Sequence, residues 1–228
     1  MARHRVSIKV IYEDNHLIAV DKPAGMLVHG DSTGDVTLAD HVKQYIKDRY
    51  NKPGDVFLGV IHRLDRPVSG VVIFARTSKA LSRMNELLRD KKVDKTYHAI
   101  VSGRLPEFEG TLIHHVLKDT ARNYVHVYTK KKKGTKQAET HYRVLGELSG
   151  LQKVELKPIT GRPHQLRVQM TKVDCPMVGD IKYGSDRPNQ DKSICLHCVS
   201  MSFLHPVKKE PIRISSGTPK KQYWDFFV

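Results

Sequence analysis

Two short segments concentrate side chains that could do chemistry. His62-Arg63-Leu64-Asp65-Arg66-Pro67-Val68-Ser69-Gly70 packs two guanidiniums, an imidazole and one carboxylate into a turn that feeds an apolar strand. A carboxylate at the rim of a core loses water and needs a cationic partner. Gly161-Arg162-Pro163-His164-Gln165-Leu166-Arg167 supplies cations. If it opens a helix, Arg167 lies one turn beyond His164 on the same face, where its fork can meet a carboxylate. On spacing alone Asp65 serves either a structural ion pair or catalysis, and nothing in the spacing requires that Arg167 meets Asp65. Cys195-Leu196-His197-Cys198, with Cys175 upstream, has the spacing of half a zinc site. The apolar residues around it, Ile194, Leu196, Val199 and Met201, read instead as a buried strand or short helix, and free Cys is among the most buried residue types.

The chain has no G-x-x-x-x-G-K-[ST], no G-x-G-x-x-G after a strand, no H-E-x-x-H and no G-x-S-x-G. Phosphoryl transfer, dinucleotide redox chemistry and zinc proteolysis therefore find no support. The 39 Lys and Arg against 24 Asp and Glu leave a formal charge of +15, and the pI is near 9.7. A field of that sign concentrates polyanions, nucleic acid above all. Three Cys in 228 residues make no disulfide scaffold and suit a reducing compartment. Apolar runs such as Val71–Ala75 fall far short of the ~20 residues that span a bilayer, and no signal-peptide core follows the basic start. A soluble cytoplasmic protein that makes no membrane contact is expected.

The elements that must position these segments follow from periodicity. Short strands are predicted at Val6–Tyr12 and Leu17–Asp21, the second running into Lys22-Pro23-Ala24-Gly25. Leu38, Val42, Tyr45 and Ile46 share one face of a helix that starts after Thr37 and ends near Tyr50. A strand over Gly70–Ala75 leads to a second helix, capped by Thr77 or Ser78, with Ala80, Leu81, Met84, Leu87 and Leu88 on one face. Lys95–Val101 alternates, with Tyr97, Ala99 and Val101 on one side. Further strands are expected at Thr111–Leu117, Tyr124–Tyr128, Glu139–Leu145, Leu151–Leu156 and Ile212–Ile214, a third helix at Pro163–Lys172, and a loop tip at Lys130–Lys133. Isolated helices among strands, without βαβ alternation, define an α+β class with a largely antiparallel mixed sheet flanked by helices.

Taken together, these motifs resemble the RluA family of RNA pseudouridine synthases over almost the whole chain. Tyr12-Glu13-Asp14 with Asp21-Lys22-Pro23-Ala24-Gly25 and His29 is similar to the family's first motif, His62–Gly70 to its second, and Lys95-Thr96-Tyr97 with Gly103 to the next. Gly161–Arg167 followed by Pro176, Gly179-Asp180 and Tyr183-Gly184 is similar to the third numbered motif, and Leu196-His197 and His205-Pro206 also fit the pattern. The resemblance implies one catalytic domain over residues 1–228 with the pseudouridine synthase fold. It implies Asp65 as catalytic residue, Arg167 as its partner and Tyr97 packing on the target base. The reaction implied detaches uracil at N1, turns it and rejoins it to C1′ through C5, with no cofactor and no metal. Arg63, Lys22, Arg66, Arg162, His164 and Lys95 are the candidate RNA contacts, in ribosomal or transfer RNA, and a monomer is expected. With the first motif beginning by Tyr12, no room is expected for a separate S4 RNA-binding domain. Two departures stand out: Val68 where the family commonly has Thr, and Gln169 where a His often follows Arg-Val. The competing readings are a non-catalytic RNA-binding or ribosome-associated protein on the same scaffold and a glycoside or nucleoside hydrolase, which commonly needs a second carboxylate.

Overall fold

The computed structural model describes residues 8–30, 34–220 and 222–227. Residues 6 and 7 of the first predicted strand lie outside the described residues. The chain divides into two compact units, residues 1–93 with 200–216 and residues 94–199 with 217–228. The class is α+β, as the periodicity implied, and every strand pairing described below is antiparallel.

In the first unit, β1 (Lys9–Glu13) pairs with β2 (Leu17–Lys22) across a tight turn. Asp14 closes that turn, its carboxylate accepting from the N–H groups of His16 and Leu17, both at 2.8 Å. α1 (Leu38–Tyr50) begins at a capping box: Thr37 Oγ1 accepts from Asp40 N–H, and the Asp40 carboxylate accepts from Thr37 N–H. It buries Leu38, Val42 and Ile46. Tyr45, expected on the same apolar face, is half-buried because its hydroxyl donates to Glu13. A two-residue strand β3 (Gly59–Val60), unforeseen in the periodicity, pairs with β4 (Ser69–Ala75). Gly59 is fitted to the helix that follows β4, since a Cβ there would stand 2.8 Å from Leu81 Cδ2. α2 (Ser78–Arg89) is capped by Thr77, whose hydroxyl accepts from Ala80 N–H. β4 also pairs with β2, and Leu17–Val20 and Val71–Ala75 are completely buried. Such unbroken apolar runs belong to strands covered on both faces.

The second unit is built on the order β5-β9-β8-β6-β7. These strands are β5 (Asp94–Ser102), β6 (Glu109–Asp119), β7 (Tyr124–Tyr128), β8 (Lys136–Leu148) and β9 (Leu151–Pro158). β8 is longer at both ends than its apolar alternation indicated, because pairing with β6 and β9 carries polar residues along in register. α3 (Gln165–Lys172) starts two residues later than predicted. His164 sits in the left-handed region at φ 48°, outside the helix. A 3₁₀ turn spans Ile181–Tyr183.

β10 (Leu196–Leu204) resolves the Cys-rich stretch as a strand, with Cys195 just before it, and its later residues pair with β11 (Pro211–Ser215). Cys175, Cys195 and Cys198 are all buried thiols, and none forms a disulfide among the described residues. Cys195 packs with Ile100, Val178 and Trp224. The apolar alternation is therefore a packing signal.

Candidate active site

In the first unit, Asp65 opens a hydrogen-bonded turn in which the Val68 N–H donates to the Asp65 carbonyl at 3.0 Å. Val68 is 2% exposed, so the family's hydroxyl position is here a plug in the core. Asp65 itself is half-buried. The loop after β2 clamps this turn. Gly25 N–H donates to Arg66 O at 2.7 Å, and Arg66 Nε returns a bond to Gly25 O at 3.0 Å. Arg66 also meets Asp35 at 2.8 Å on the surface.

The centre of the clamp is Lys22, which is 0% exposed. Its Nζ donates to Met26 O at 2.7 Å, Pro23 O at 3.0 Å and Arg66 O at 3.3 Å. Burial pulls its pKa down to about 7; the Asp65 charge opposes that shift and the Arg66 charge adds to it. This corrects the expectation that Lys22 touches RNA. All three donors are directed at protein carbonyls and no part of the side chain reaches solvent, so Lys22 braces the Asp65 turn instead.

Arg63 is exposed, and its Nη1 lies 3.3 Å from His29 Nε2. His29 Nδ1 donates to Gly30 O at 2.9 Å, which leaves Nε2 as the acceptor for Arg63. His62 is turned inward, its Nε2 accepting from Ile73 N–H at 3.1 Å.

In the second unit, Tyr97 is 8% exposed on β5, opposite Leu156 of β9. Lys95, two residues earlier, is half-buried, and burial lowers its pKa while Cys198 opposes that shift. Arg167 is 5% exposed on α3 and grips Asp180 with two parallel bonds, Nε to Oδ2 at 2.7 Å and Nη2 to Oδ1 at 2.8 Å. Its guanidinium also lies 4.9 Å from the centre of the Tyr183 ring. Asp180 is 2% exposed, so the buried cation carries a buried counter-charge.

In the sequence Asp180 stands out only as part of a motif, with no role of its own. The neighbouring Gly179 explains its placement: at φ +87°, a Cβ would come within 2.6 Å of Asn189 Nδ2 and Ser193 O, so only glycine lets the loop turn here.

A polar network fixes the start of α3 on β8. Gln165 Oε1 accepts from Thr160 Oγ1 and from Arg162 N–H, and Gln165 Nε2 donates to Glu139 O and Thr140 Oγ1. Thr140 in turn donates to Gln169 Oε1 at 2.7 Å. Gln169 Nε2 donates to Leu112 O and Ala138 O. The Gln169 departure is thus absorbed, its buried amide fully engaged. Arg162 Nε donates to Gln137 O, and His164 Nδ1 lies 2.6 Å from the Tyr183 hydroxyl. That hydroxyl accepts from Val125 N–H and keeps its proton to give to His164, consistent with burial pushing its pKa up to about 12.

The chain belongs to the RNA pseudouridylate synthase family, whose model matches residues 16–172. That class is an isomerase acting on uridine in RNA, and the span includes Asp65, Tyr97 and Arg167. Among its relatives, the tRNA pseudouridine synthase C of Haemophilus influenzae is 36% identical over 228 residues, covering 92% of each chain. The ribosomal large subunit pseudouridine synthase C of Buchnera aphidicola is 32% identical over 214 residues, 91% of this chain and 66% of that protein. The solved human RNA pseudouridylate synthase domain containing 4 has the same fold, with a TM-score of 0.77 at 24% identity over 93% of this chain and 89% of that one. The RluA-type resemblance of the motifs agrees with these findings. Among the described residues no helix is long and apolar enough to cross a membrane.

Proposed function

We propose that residues 1–228 serve as one catalytic domain that converts specific uridines of structured RNA, ribosomal or transfer, into pseudouridine, in the cytoplasm and as a monomer. Asp65 is the catalytic carboxylate, Arg167 its cationic partner, and Tyr97 the ring that packs on the base. The observation that supports this best is the family match running through all three positions. The chemistry suits the residues. An isomerisation needs no donor group, and the uracil must leave its stack at a cost of a few kcal/mol before its bond to ribose is reached. A carboxylate working in a partly dry site is kept charged by an arginine, which stays protonated throughout. A tyrosine face holds the loosened base without restricting its rotation.

Arg63 and Arg66, exposed at the turn, are assigned to phosphates, with Arg162, His164 and Lys95 completing the RNA contacts and Lys22 supporting them from inside. Two relatives named for transfer RNA and for the large ribosomal subunit keep both RNA classes as candidates.

The test uses transfer and ribosomal RNA from a strain lacking the gene, incubated with pure protein or with Asp65→Asn. Pseudouridine is mapped by chemical adduct and reverse-transcription stops. The expected result is a new site in one fraction, with the variant at least about a hundredfold slower and melting like the parent. RNA binding without any new site would replace this reading with a non-catalytic RNA-binding protein, and release of free uracil would replace it with a hydrolase.

A further inference from the structure

β7 ends the strand order of the second unit, and among the described residues it pairs with β6 alone. A cavity of about 200 Å³ lies against it, walled by β7 from Tyr124 to Tyr128 and by Val168, Thr171 and Tyr183. That volume is below the ~300–1,000 Å³ typical of pockets for drug-sized ligands, so the space suits a single flat ring system. Its walls are aromatic: the Tyr124 ring centre is 4.9 Å from that of Tyr183 and 5.0 Å from that of His126. None of the wall residues is acidic.

Cations stand at both ends of the strand. The exposed run Lys130–Lys133 follows it directly, with Lys132 Nζ 4.2 Å from the centre of the Tyr128 ring. At the other end the exposed Lys182 donates to Asn123 O at 2.6 Å. An aromatic slot flanked by ammonium groups complements the alternation of flat base and anionic phosphate along a single strand of nucleic acid. A protein strand added to the β7 edge would find its Val125 N–H already engaged by the Tyr183 hydroxyl, which favours RNA over a peptide.

We infer that this slot is a second nucleotide-binding subsite, where an unpaired base of the substrate RNA enters between Tyr124 and Tyr128 and stacks on the Tyr128 ring while Lys130–Lys133 hold its phosphates. The inference rests on the reading of the chain as an RNA-modifying enzyme. Tyr124 also packs on the core cluster of Val125 and Tyr183, so Tyr128 is the cleaner position to alter.

The probe is a labelled oligouridylate of about 12 nucleotides, within the usual site sizes for single strands, beside an abasic strand of equal charge. Tyr128→Leu is expected to weaken the base-bearing strand about 5- to 100-fold and leave the abasic strand within about twofold, while Tyr128→Phe binds like the parent. Replacing Lys130–Lys133 by Ala is expected to weaken both strands and flatten the salt dependence by about 0.7 in log–log slope for each phosphate no longer neutralised. A 4-thiouridine strand should crosslink to the peptide carrying Tyr124–Tyr128. Equal losses on both strands in Tyr128→Leu, or crosslinks only outside that peptide, would overturn the subsite. The crosslink needs no turnover: if the parent makes no pseudouridine, the proposed activity falls while the map still decides the slot. With activity present, Tyr128→Leu should raise KM and leave kcat unchanged.

Discussion

Among the described residues each unit buries one long cationic side chain, Lys22 in the first and Arg167 in the second, and they satisfy it in opposite ways. In the first unit Lys22 is surrounded by carbonyl oxygens, and burial brings its pKa down to about 7. In the second, Arg167 has a bidentate carboxylate and an aromatic face. Dipoles alone offset only part of the cost of removing a charge from water, whereas a counter-ion with matched geometry offsets most of it. The chain uses the titratable cation as a brace for a turn and the permanent one where a fixed positive charge is useful. A Lys at 167 would lose both the fork and the flat face that stacks on Tyr183.

That contrast can be broken most severely at Asp180. Asp180→Asn keeps the shape and removes the counter-charge, so it is expected to cost about 3–5 kcal/mol in urea unfolding of the whole chain. A loss below about 1 kcal/mol would show that Asp180 is not the main compensation.

Lys22→Met should cost less, about 1–3 kcal/mol, because it leaves carbonyls without their donor but strands no charge. Its pH signature is more telling. A folded pKa near 7 lies below the ordinary lysine value, so between about pH 7 and 10.4 the unfolded chain binds more protons than the folded one. Stability from this group is therefore fully present above the unfolded pKa and lost as pH falls to about 7. The parent should gain stability over that window relative to Lys22→Met, and parallel pH profiles would refute the shift.

The smallest effect belongs to the exposed Arg66–Asp35 pair, whose side chains are 50% and 45% exposed. Asp35→Asn should cost no more than about 1 kcal/mol and nothing measurable in ~1 M salt, where the screening length is about 3 Å, while the Asp180→Asn penalty persists there. Bond length does not separate the two pairs, since both are under 3 Å. Burial does.

Much of this is legible in the chain itself. The apolar runs of β2 and β4 and the face of α1 follow from spacing and residue type, because burial imposes those periods, whereas the choice of Thr77 over Ser78 as the α2 cap came from the structure. The motifs around Asp65 and Arg167 stand out because charged residues at the edge of an apolar run need an explanation. The fate of Lys22 is not legible: a basic residue beside a turn looks like a phosphate contact until the fold closes over it. Nor can β8 be bounded, since polar residues join it through pairing rather than through their own alternation.

Residue identity and local order were enough for the class, the family motifs and the positive field, because each of these is written in neighbouring positions. Tertiary structure alone settled which cations are buried, which carbonyls and carboxylates receive them, and that Gln169 and Val68 settle into the interior. Those outcomes depend on which distant segments displace water from a side chain, and no local pattern specifies that.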